Sequence, residues 1–267
     1  MFLAYKKISF YIVAHADDWQ LFMQPAAYYD IIDAGCKVVF IITTSGDAGF
    51  GENFWRCREE GCLSSIRYCL AAHESTDEYR GINGLNGRNL HFVEINNTKT
   101  YFLRLPDGNL DGNGFKENNH QSISKLLNRE IQEISTTDHS CIYINPNELI
   151  QTIEFIFAKE TGELKNISFH FQNPDTNKNP NDHADHIATG TMVKNAIINV
   201  STKQFLYTGY SVMPGENKLS SEELFWKTGM FAAYEKTVFD LCGYSTIKEA
   251  PEIYQRWCAS GAEFVDQ

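Results

Sequence analysis

The stretch ISFYIVAHADD, residues 8–18, determines the fold class of this chain. Its first seven residues form a nearly continuous apolar run of branched and aromatic side chains, which predicts a buried strand. A helical period over 26–34, ended by Gly35, and a second buried run, KVVFIITT at 37–44, follow it. A strand, a helix and a strand so closely spaced form a βαβ unit, which predicts a parallel sheet with right-handed crossovers.

The rest of the chain continues this alternation, which predicts an α/β fold with a mostly parallel sheet and a helical C-terminal extension. Further helices are predicted at 54–72, 121–134, 147–159, 183–200, 222–241 and 252–264, and further strands at 90–95, 101–105, 167–171 and 204–212. No linker or repeat interrupts the chain, so one domain is expected over 1–267, with its core at about 8–212 and its C-terminal helices at about 220–265. The large aromatic residues of those helices are expected to pack in the core: Phe225, Trp226, Phe231, Tyr234, Phe239, Tyr254 and Trp257.

The composition narrows the functional classes. The 267 residues include 23 Lys and Arg against 34 Asp and Glu, for a net charge of −11. A chain this acidic is not expected to bind nucleic acid or an anionic membrane surface. No apolar stretch reaches the roughly 20 residues that a membrane span needs. The seven cysteines have no CxxC spacing, which predicts free thiols in a reducing cytoplasm rather than disulfides or a thiolate zinc site.

Two short polar segments carry the chemistry of the predicted site. AHADD at 14–18 follows the first strand, and NDHADH at 181–186 follows a late strand and begins a helix. Ligands of open parallel sheets bind beyond the carboxyl ends of the strands, so we expect the two segments to meet in space. A catalytic zinc site needs about three nitrogen or oxygen ligands and one open position, which these segments can supply.

The residue types leave the choice of ligands partly open. His15 and Asp18 can supply two ligands from one turn. His183 and His186 are three residues apart and share one face at the start of a helix. One of these two histidines can bind the metal while the other faces the substrate.

Two carboxylates remain outside the ligand set. Asp17 is next to a ligand and suits a base that accepts a proton from the attacking water, whereas Asp185 suits a partner that fixes an imidazole tautomer. Taken alone, each motif is more typical of a turn or a helix cap. On that interpretation Asp182 is the N-cap of the helix. The occurrence of both motifs at two strand ends favours the metal site.

The paired motifs resemble those of the PIG-L/LmbE-like zinc-dependent N-deacetylases, whose hallmarks are AHPDD after the first strand and HxDH at a late strand end. Weaker similarity runs through TTSGDAG at 43–49, the stretch 55–59 and LPDG at 105–108, so the resemblance covers roughly residues 8–200. It implies a Rossmann-like fold with helices on both faces of the sheet. It also implies an enzyme, a hydrolase of C–N amide bonds that removes the N-acetyl or N-acyl group of an amino sugar or glycoconjugate, a small-molecule substrate.

The resemblance further implies a role for each residue of the site. The implied ligands of one zinc ion per chain are His15, Asp18 and His186. Asp17 would act as the general base, a protonated His183 would stabilise the oxyanion, and Asp185 would orient His183. These roles describe amide hydrolysis by a metal-activated water.

The resemblance also suggests substrate contacts. Arg58 matches an arginine that faces the substrate in this family, and Asp107 stands where a carboxylate could contact the sugar; an exposed helix arginine and a turn aspartate fit them equally well. The sequence departs from the family where Ala16 replaces a proline and Trp19 replaces a common acidic residue. Trp19 is therefore expected beside the site, where it would stack on a sugar face or shape an apolar pocket.

Three other functions fit the sequence less well. A carbohydrate-binding protein that kept the fold and lost catalysis would not need the complete set of histidines and aspartates. A dinucleotide-binding protein would need G-x-G-x-x-G after the first strand, where this chain has HADD. A two-metal phosphoesterase would need more carboxylate ligands. The sequence does not define an oligomeric state.

Overall fold

The computed structural model describes residues 5–71, 73, 76–85, 87–198, 202–213 and 218–266. The strands in these residues are β1 (Lys7–Val13), β2 (Cys36–Thr44), β3 (Glu78–Leu85), β4 (Arg88–Ile95), β5 (Thr98–Leu105), β6 (Ile134–Ser135), β7 (Ile142–Tyr143), β8 (Ile167–Gln172), β9 (Lys203–Tyr207) and β10 (Phe264–Asp266). The α-helices are α1 (Asp18–Phe22), α2 (Ala26–Ile32), α3 (Glu52–Ala71), α4 (Ile123–Leu127), α5 (Pro146–Thr161), α6 (Ala184–Ala196), α7 (Ser221–Cys242), α8 (Thr246–Glu249) and α9 (Pro251–Ala259).

Eight strands form one mixed sheet in the order β10–β9–β8–β1–β2–β5–β4–β3. The five central strands, from β9 to β5, are parallel to one another, and β10, β4 and β3 are antiparallel to their neighbours. This arrangement confirms the predicted α/β fold with its mostly parallel sheet. It also places the carboxyl ends of β1 and β8 side by side, so the segments that follow them meet at one edge of the sheet.

Helices cover both faces of the sheet, as the resemblance implies. Side chains of β1 alternate between two cores because successive residues of a strand point to opposite faces. Tyr11 and Val13 join the core beneath α2, α3, α7 and α9, whereas Phe10 and Ile12 join the core beneath α4, α5 and α6. All four of these side chains are fully buried. The central strand is thus fixed from both sides, which gives the residues that follow it a rigid base.

Several boundaries differ from those predicted. The helix expected at 121–134 ends at Leu127, because Arg129 adopts a left-handed backbone with φ of 61°. The helix expected at 252–264 ends at Ala259, and the chain then pairs with β9 as β10. The helix expected at 183–200 ends at Ala196, and its predicted last residues, 199 and 200, lie outside the described residues, as does residue 72.

The strand expected at 204–212 ends earlier, at Tyr207. The antiparallel strand β3, which contains two glycines and has no buried residue, was not predicted because it lacks an apolar pattern. All seven cysteines are free thiols, as predicted. Among the described helices, none combines the length and the apolar character needed to cross a bilayer.

Candidate active site

His15 and Asp18 occupy the turn between β1 and α1. The backbone N–H of His15 donates to Asp18 Oδ2 at 2.7 Å, and the N–H of Asp18 donates back to the His15 carbonyl at 3.3 Å. This reciprocal pair holds the imidazole Nδ1 3.6 Å from Asp18 Oδ1. The turn therefore presents one imidazole and one carboxylate on the same side of the strand end.

His186 reaches this turn from the first turn of α6. Its Nε2 lies 3.1 Å from Asp18 Oδ1, although the two residues are 168 positions apart in the chain. His15, Asp18 and His186 each offer a ligand atom, and these atoms lie within 4.8 Å of one another. The three residues that the sequence predicts as zinc ligands thus lie together, and all are buried.

The electrostatics of this group suit a divalent cation. Burial alone would lower the pKa of His186, but the carboxylates of Asp18 and Asp182 raise it to about 10. Burial would raise the pKa of Asp18, but His186 and His15 hold it well below its usual range. A buried site that draws protons onto two imidazoles is electronegative, and a cation can replace those protons. The donor set of two imidazoles and one carboxylate is also typical of catalytic zinc.

Asp182 is a part of this site that the sequence analysis did not recognise. It is not the N-cap of α6, since that position belongs to His183. Its Oδ1 lies 2.9 Å from His186 Nδ1 and also accepts the Tyr210 backbone N–H at 3.0 Å. A Cβ at Gly209 would lie 2.4 Å from the same oxygen, so this close approach requires glycine. The four-residue spacing of Asp182 and His186 was the signal available in the sequence.

Asp17 faces the cleft beside the ligand group and is held by Arg58. Arg58 Nη2 donates to Asp17 Oδ1 at 2.5 Å, Nη1 donates to the Gly46 carbonyl at 2.7 Å, and Nε donates to the Tyr234 hydroxyl at 2.7 Å. Gly46 has φ of 57°, and a Cβ there would lie 2.4 Å from Arg58 Nη1. The glycine of the SGDAG segment therefore lets the loop approach the guanidinium.

His183 lies on the other side of His15, with its ring centre 4.6 Å from that of His15. Burial and the neighbouring His15 lower the pKa of His183 to about 3, so the imidazole is neutral near pH 7. Its Nδ1 accepts the backbone N–H of Asp185 at 3.1 Å, which places the ring proton on Nε2. The expected protonated His183 is therefore corrected to a neutral imidazole that can donate from Nε2.

Asp185 is fully buried between two histidines. Its Oδ2 lies 3.4 Å from His15 Nε2 and 3.8 Å from His183 Nδ1, and it accepts the Gly108 backbone N–H at 2.8 Å. His15 Nε2 and Asp185 Oδ1 make no hydrogen bond within the part of the chain that the structure describes. Asp185 is thus nearer to His15 than to His183, the partner that the resemblance implies.

A cleft of about 230 Å³ is lined by His15, Asp18 and His183. Asp107 is on its wall, where its Oδ1 lies 3.9 Å from His183 Nε2 and accepts the Asn109 backbone N–H at 2.8 Å. Asp17 and Arg58 also line the cleft, as do seven aromatic side chains: Phe22, Phe54, Phe115, Tyr210, Tyr244, Tyr254 and Trp257. The cleft therefore has charged side chains at its floor and aromatic side chains along its walls.

Trp19 does not lie where the sequence analysis expects it. The side chain is fully buried, donates Nε1–H towards Cys62 Sγ at 3.3 Å, and packs 4.7 Å from the ring of Phe40. Because α1 begins at Asp18, the next residue points away from the ligand turn and into the core. Stacking of Trp19 on a sugar therefore does not fit the structure.

The C-terminal helices contribute more than core packing. Phe231 and Tyr234 are buried in the core, as expected, but the expectation is wrong for Phe225 and Phe239, which are exposed. Tyr254 and Trp257, however, also form part of the cleft wall, and Tyr234 contacts Arg58. No periodic pattern distinguishes such residues from core aromatics, so these contacts cannot be predicted from sequence.

Comparisons with known proteins bear on the fold and on the family of this chain. No curated protein matches the sequence. A deacetylase triple mutant of the teicoplanin biosynthetic pathway shares the fold with a TM-score of 0.51 at 9% identity, over 97% of this chain and 98% of that chain. N,N′-diacetylchitobiose deacetylase from Pyrococcus horikoshii has a TM-score of 0.49 at 13% identity, over 97% of this chain and 84% of that chain. The family model PIG-L, described as GlcNAc-PI de-N-acetylase, matches residues 10–197, and the chain therefore belongs to the PIG-L family.

Proposed function

We propose that this chain is a zinc-dependent N-deacetylase that hydrolyses the N-acetyl group of an amino sugar or a glycoconjugate. The observation that carries the proposal is one cleft lined by two members of the buried His–Asp–His group, His15 and Asp18, together with the Asp17 carboxylate and the neutral His183 imidazole. Membership of the PIG-L family supports the same reaction. The ordering of these groups around one small volume is what amide hydrolysis requires.

His15, Asp18 and His186 would hold the metal. When bound there, a zinc ion would lower the pKa of a water molecule and polarise the amide carbonyl. Asp182 fixes the ring orientation of His186 through Nδ1, and Asp185 stands opposite His15 Nε2. Both histidines thus have a carboxylate behind them, an arrangement that strengthens metal ligands.

Asp17 is the proposed general base. Arg58 binds its Oδ1, so Oδ2 is the oxygen that would accept a proton from the attacking water. The same carboxyl group can then deliver that proton to the departing amine. A fixed carboxylate at the cleft floor is suited to both transfers, because neither requires the side chain to move away from the substrate.

His183 is the proposed donor to the oxyanion. Its Nε2–H is free of the helix-capping bond, which uses Nδ1, and it faces the cleft that Asp107 also lines. A neutral imidazole can stabilise developing negative charge by hydrogen bonding. Asp107 and the aromatic walls would contact the sugar, because apolar sugar faces pack on aromatic rings while a carboxylate accepts from hydroxyl groups.

The test combines metal analysis with an assay for released acetate. The purified protein is loaded with zinc, its metal content is measured, and it is incubated with N,N′-diacetylchitobiose and N-acetylglucosamine. We expect one zinc ion per chain and the release of acetate and free amine in equal amounts. Sugar binding without acetate release would instead indicate a carbohydrate-binding protein that keeps the metal site.

A further inference from the structure

Arg58 links Tyr234 to the proposed base. The three nitrogens of its guanidinium bind three different partners, contributed by α7, by the loop after β2 and by the turn after β1. Arg58 and Asp17 are nearly inaccessible to solvent, and Tyr234 is fully buried. The planar guanidinium therefore holds these partners in one fixed arrangement.

The position of the Tyr234 hydroxyl is set by close packing of α3 against α7. A Cβ at Gly61 of α3 would lie 2.8 Å from the Tyr234 ring, and a Cβ at Gly229 of α7 would lie 2.3 Å from the Tyr68 hydroxyl. Each helix thus has a glycine at the point where a tyrosine of the other helix packs against it. This contact determines how far the Tyr234 hydroxyl extends towards Arg58.

Without the Tyr234 hydroxyl, Arg58 would keep two of these three hydrogen bonds, and both would be made by its terminal nitrogens, Nη1 and Nη2. The Nε atom would then be free, and the plane could tilt about the bonds to Gly46 and Asp17. Any tilt of the guanidinium changes the direction of the Asp17 carboxylate, because Arg58 Nη2 is hydrogen-bonded to Asp17 Oδ1. A misplacement of about 1 Å in a reacting group can lower turnover by about a hundredfold.

We propose that Tyr234 is a positioning residue for the reaction, acting through Arg58 to hold the carboxylate of Asp17 towards the attacking water. The inference rests on the proposed function, since it assumes that Asp17 is the base. It assigns part of the catalytic geometry to a helix outside residues 10–197, the segment that matches the family. It also gives Arg58 a holding role in place of the substrate contact that the resemblance implies.

The kinetic test uses Tyr234→Phe, which removes only the hydroxyl group. In the zinc-loaded enzyme we expect kcat to fall about tenfold or more while KM changes less than about twofold. The matched control is Tyr207→Phe, because Tyr207 is fully buried and its hydroxyl bonds to His170 outside the cleft. The control is expected to keep the wild-type kcat. Equal kcat values for the two variants would overturn the proposal.

A second arm asks whether the effect passes through Asp17. In an Asp17→Ala background, Tyr234→Phe is expected to cause no further loss of the residual kcat. A further loss by the same factor as in the wild type would place the effect elsewhere and overturn the proposal. Zinc content is expected to be unchanged in every variant.

A third arm separates this inference from the proposed function. Melting temperatures are measured for the wild type, for Tyr234→Phe, Tyr207→Phe and Asp17→Ala, and for the two double variants that combine Asp17→Ala with either tyrosine change. The two shifts are expected to be non-additive, because both residues bind Arg58. The shifts of Tyr207→Phe and Asp17→Ala are expected to add. If the wild type releases no acetate, the proposed function fails, and additive shifts for the first pair would independently overturn the inference.

Discussion

Asp182 Oδ1 lies 2.9 Å from His186 Nδ1, on the side of the imidazole opposite to the nitrogen that faces Asp18. Such a carboxylate fixes the tautomer of a metal-binding histidine and raises its basicity. We therefore expect Asp182→Asn to weaken zinc binding by about 10- to 100-fold. Competition with a chromophoric chelator measures the affinity. The exposed Asp175, on the same loop, provides Asp175→Asn as a control, and equal affinities for the two variants would contradict the assignment.

The proposed base leads to a separate prediction. Asp17→Ala is expected to keep the zinc ion, because none of the three proposed ligands is changed, and to lose a factor of about 100 to 10,000 in kcat. Metal analysis and the acetate assay are made on the same preparation. Asp111, which is exposed near the cleft, provides the control Asp111→Asn. Near-normal turnover with intact metal would show that another group accepts the proton.

Stability should depend on pH through His170, which is buried between the rings of Tyr11 and Phe205. Burial lowers the pKa of His170 from 6.5 to about 4 in the folded chain. The unfolded chain therefore takes up a proton first as the pH falls, and the free energy of unfolding decreases between about pH 6.5 and pH 4. At pH 5 the loss from this residue is about 2 kcal/mol.

Urea unfolding at pH 7 and pH 5 tests this contribution. In His170→Phe, the decrease between the two pH values is expected to be smaller than in the wild type by about 2 kcal/mol. His120→Gln, a change at an exposed histidine, should retain the wild-type decrease. A His170→Phe variant with the full decrease would show that the folded-state pKa is not lowered by burial.

Lys227 connects three segments near the cleft without a carboxylate partner among the described residues. Its Nζ donates to the backbone carbonyls of Leu21 at 2.6 Å, Trp257 at 2.7 Å and Ser260 at 2.7 Å, and the side chain is buried. Lys227→Met would remove the donor that these three buried carbonyls share, although the Trp257 carbonyl would still accept the Ser260 backbone N–H at 3.3 Å. We therefore expect the free energy of unfolding to fall by about 3 kcal/mol. Urea unfolding measures the change.

A lysine on the solvent side of the same helix provides the comparison. Lys236 is mostly exposed and pairs with Asp240 one turn later, so Lys236→Met should change the free energy of unfolding by less than about 1 kcal/mol. If the two variants were equally stable, the three hydrogen bonds from Lys227 to carbonyls would contribute no more to the free energy of unfolding than the contacts of a surface lysine.

Sequence patterns predict the convergence of the proposed metal ligands better than the positions of the proposed substrate contacts, for a physical reason. His15, Asp18 and His186 stand in short motifs at strand ends, and the topology of a parallel sheet brings such ends together. Trp19 is adjacent to a ligand in sequence, yet one step along α1 turns its side chain into the core. Adjacency in sequence therefore does not specify where a side chain points once a helix begins.

The cleft wall illustrates a second limit. Tyr254 and Trp257 come from α9, far from the motifs in sequence, and they touch the core as well as the cleft. A residue that contacts both the core and the cleft fits the same apolar sequence pattern as a residue that contacts the core alone. The strand β3 was missed for the opposite reason, since an exposed edge strand has no buried face to impose an alternating pattern.

The position of β1 in the sheet has a consequence for how the proposed metal site forms. β1 pairs with β2, its close neighbour in the chain, and with β8, which lies at the far end of a long connection. Closing so long a loop costs entropy, so contacts of this kind form slowly and late in folding. The turn that bears two of the proposed ligands can exist early, but the third joins them only when β8 and α6 dock. The proposed metal site would therefore be complete only after the chain has folded.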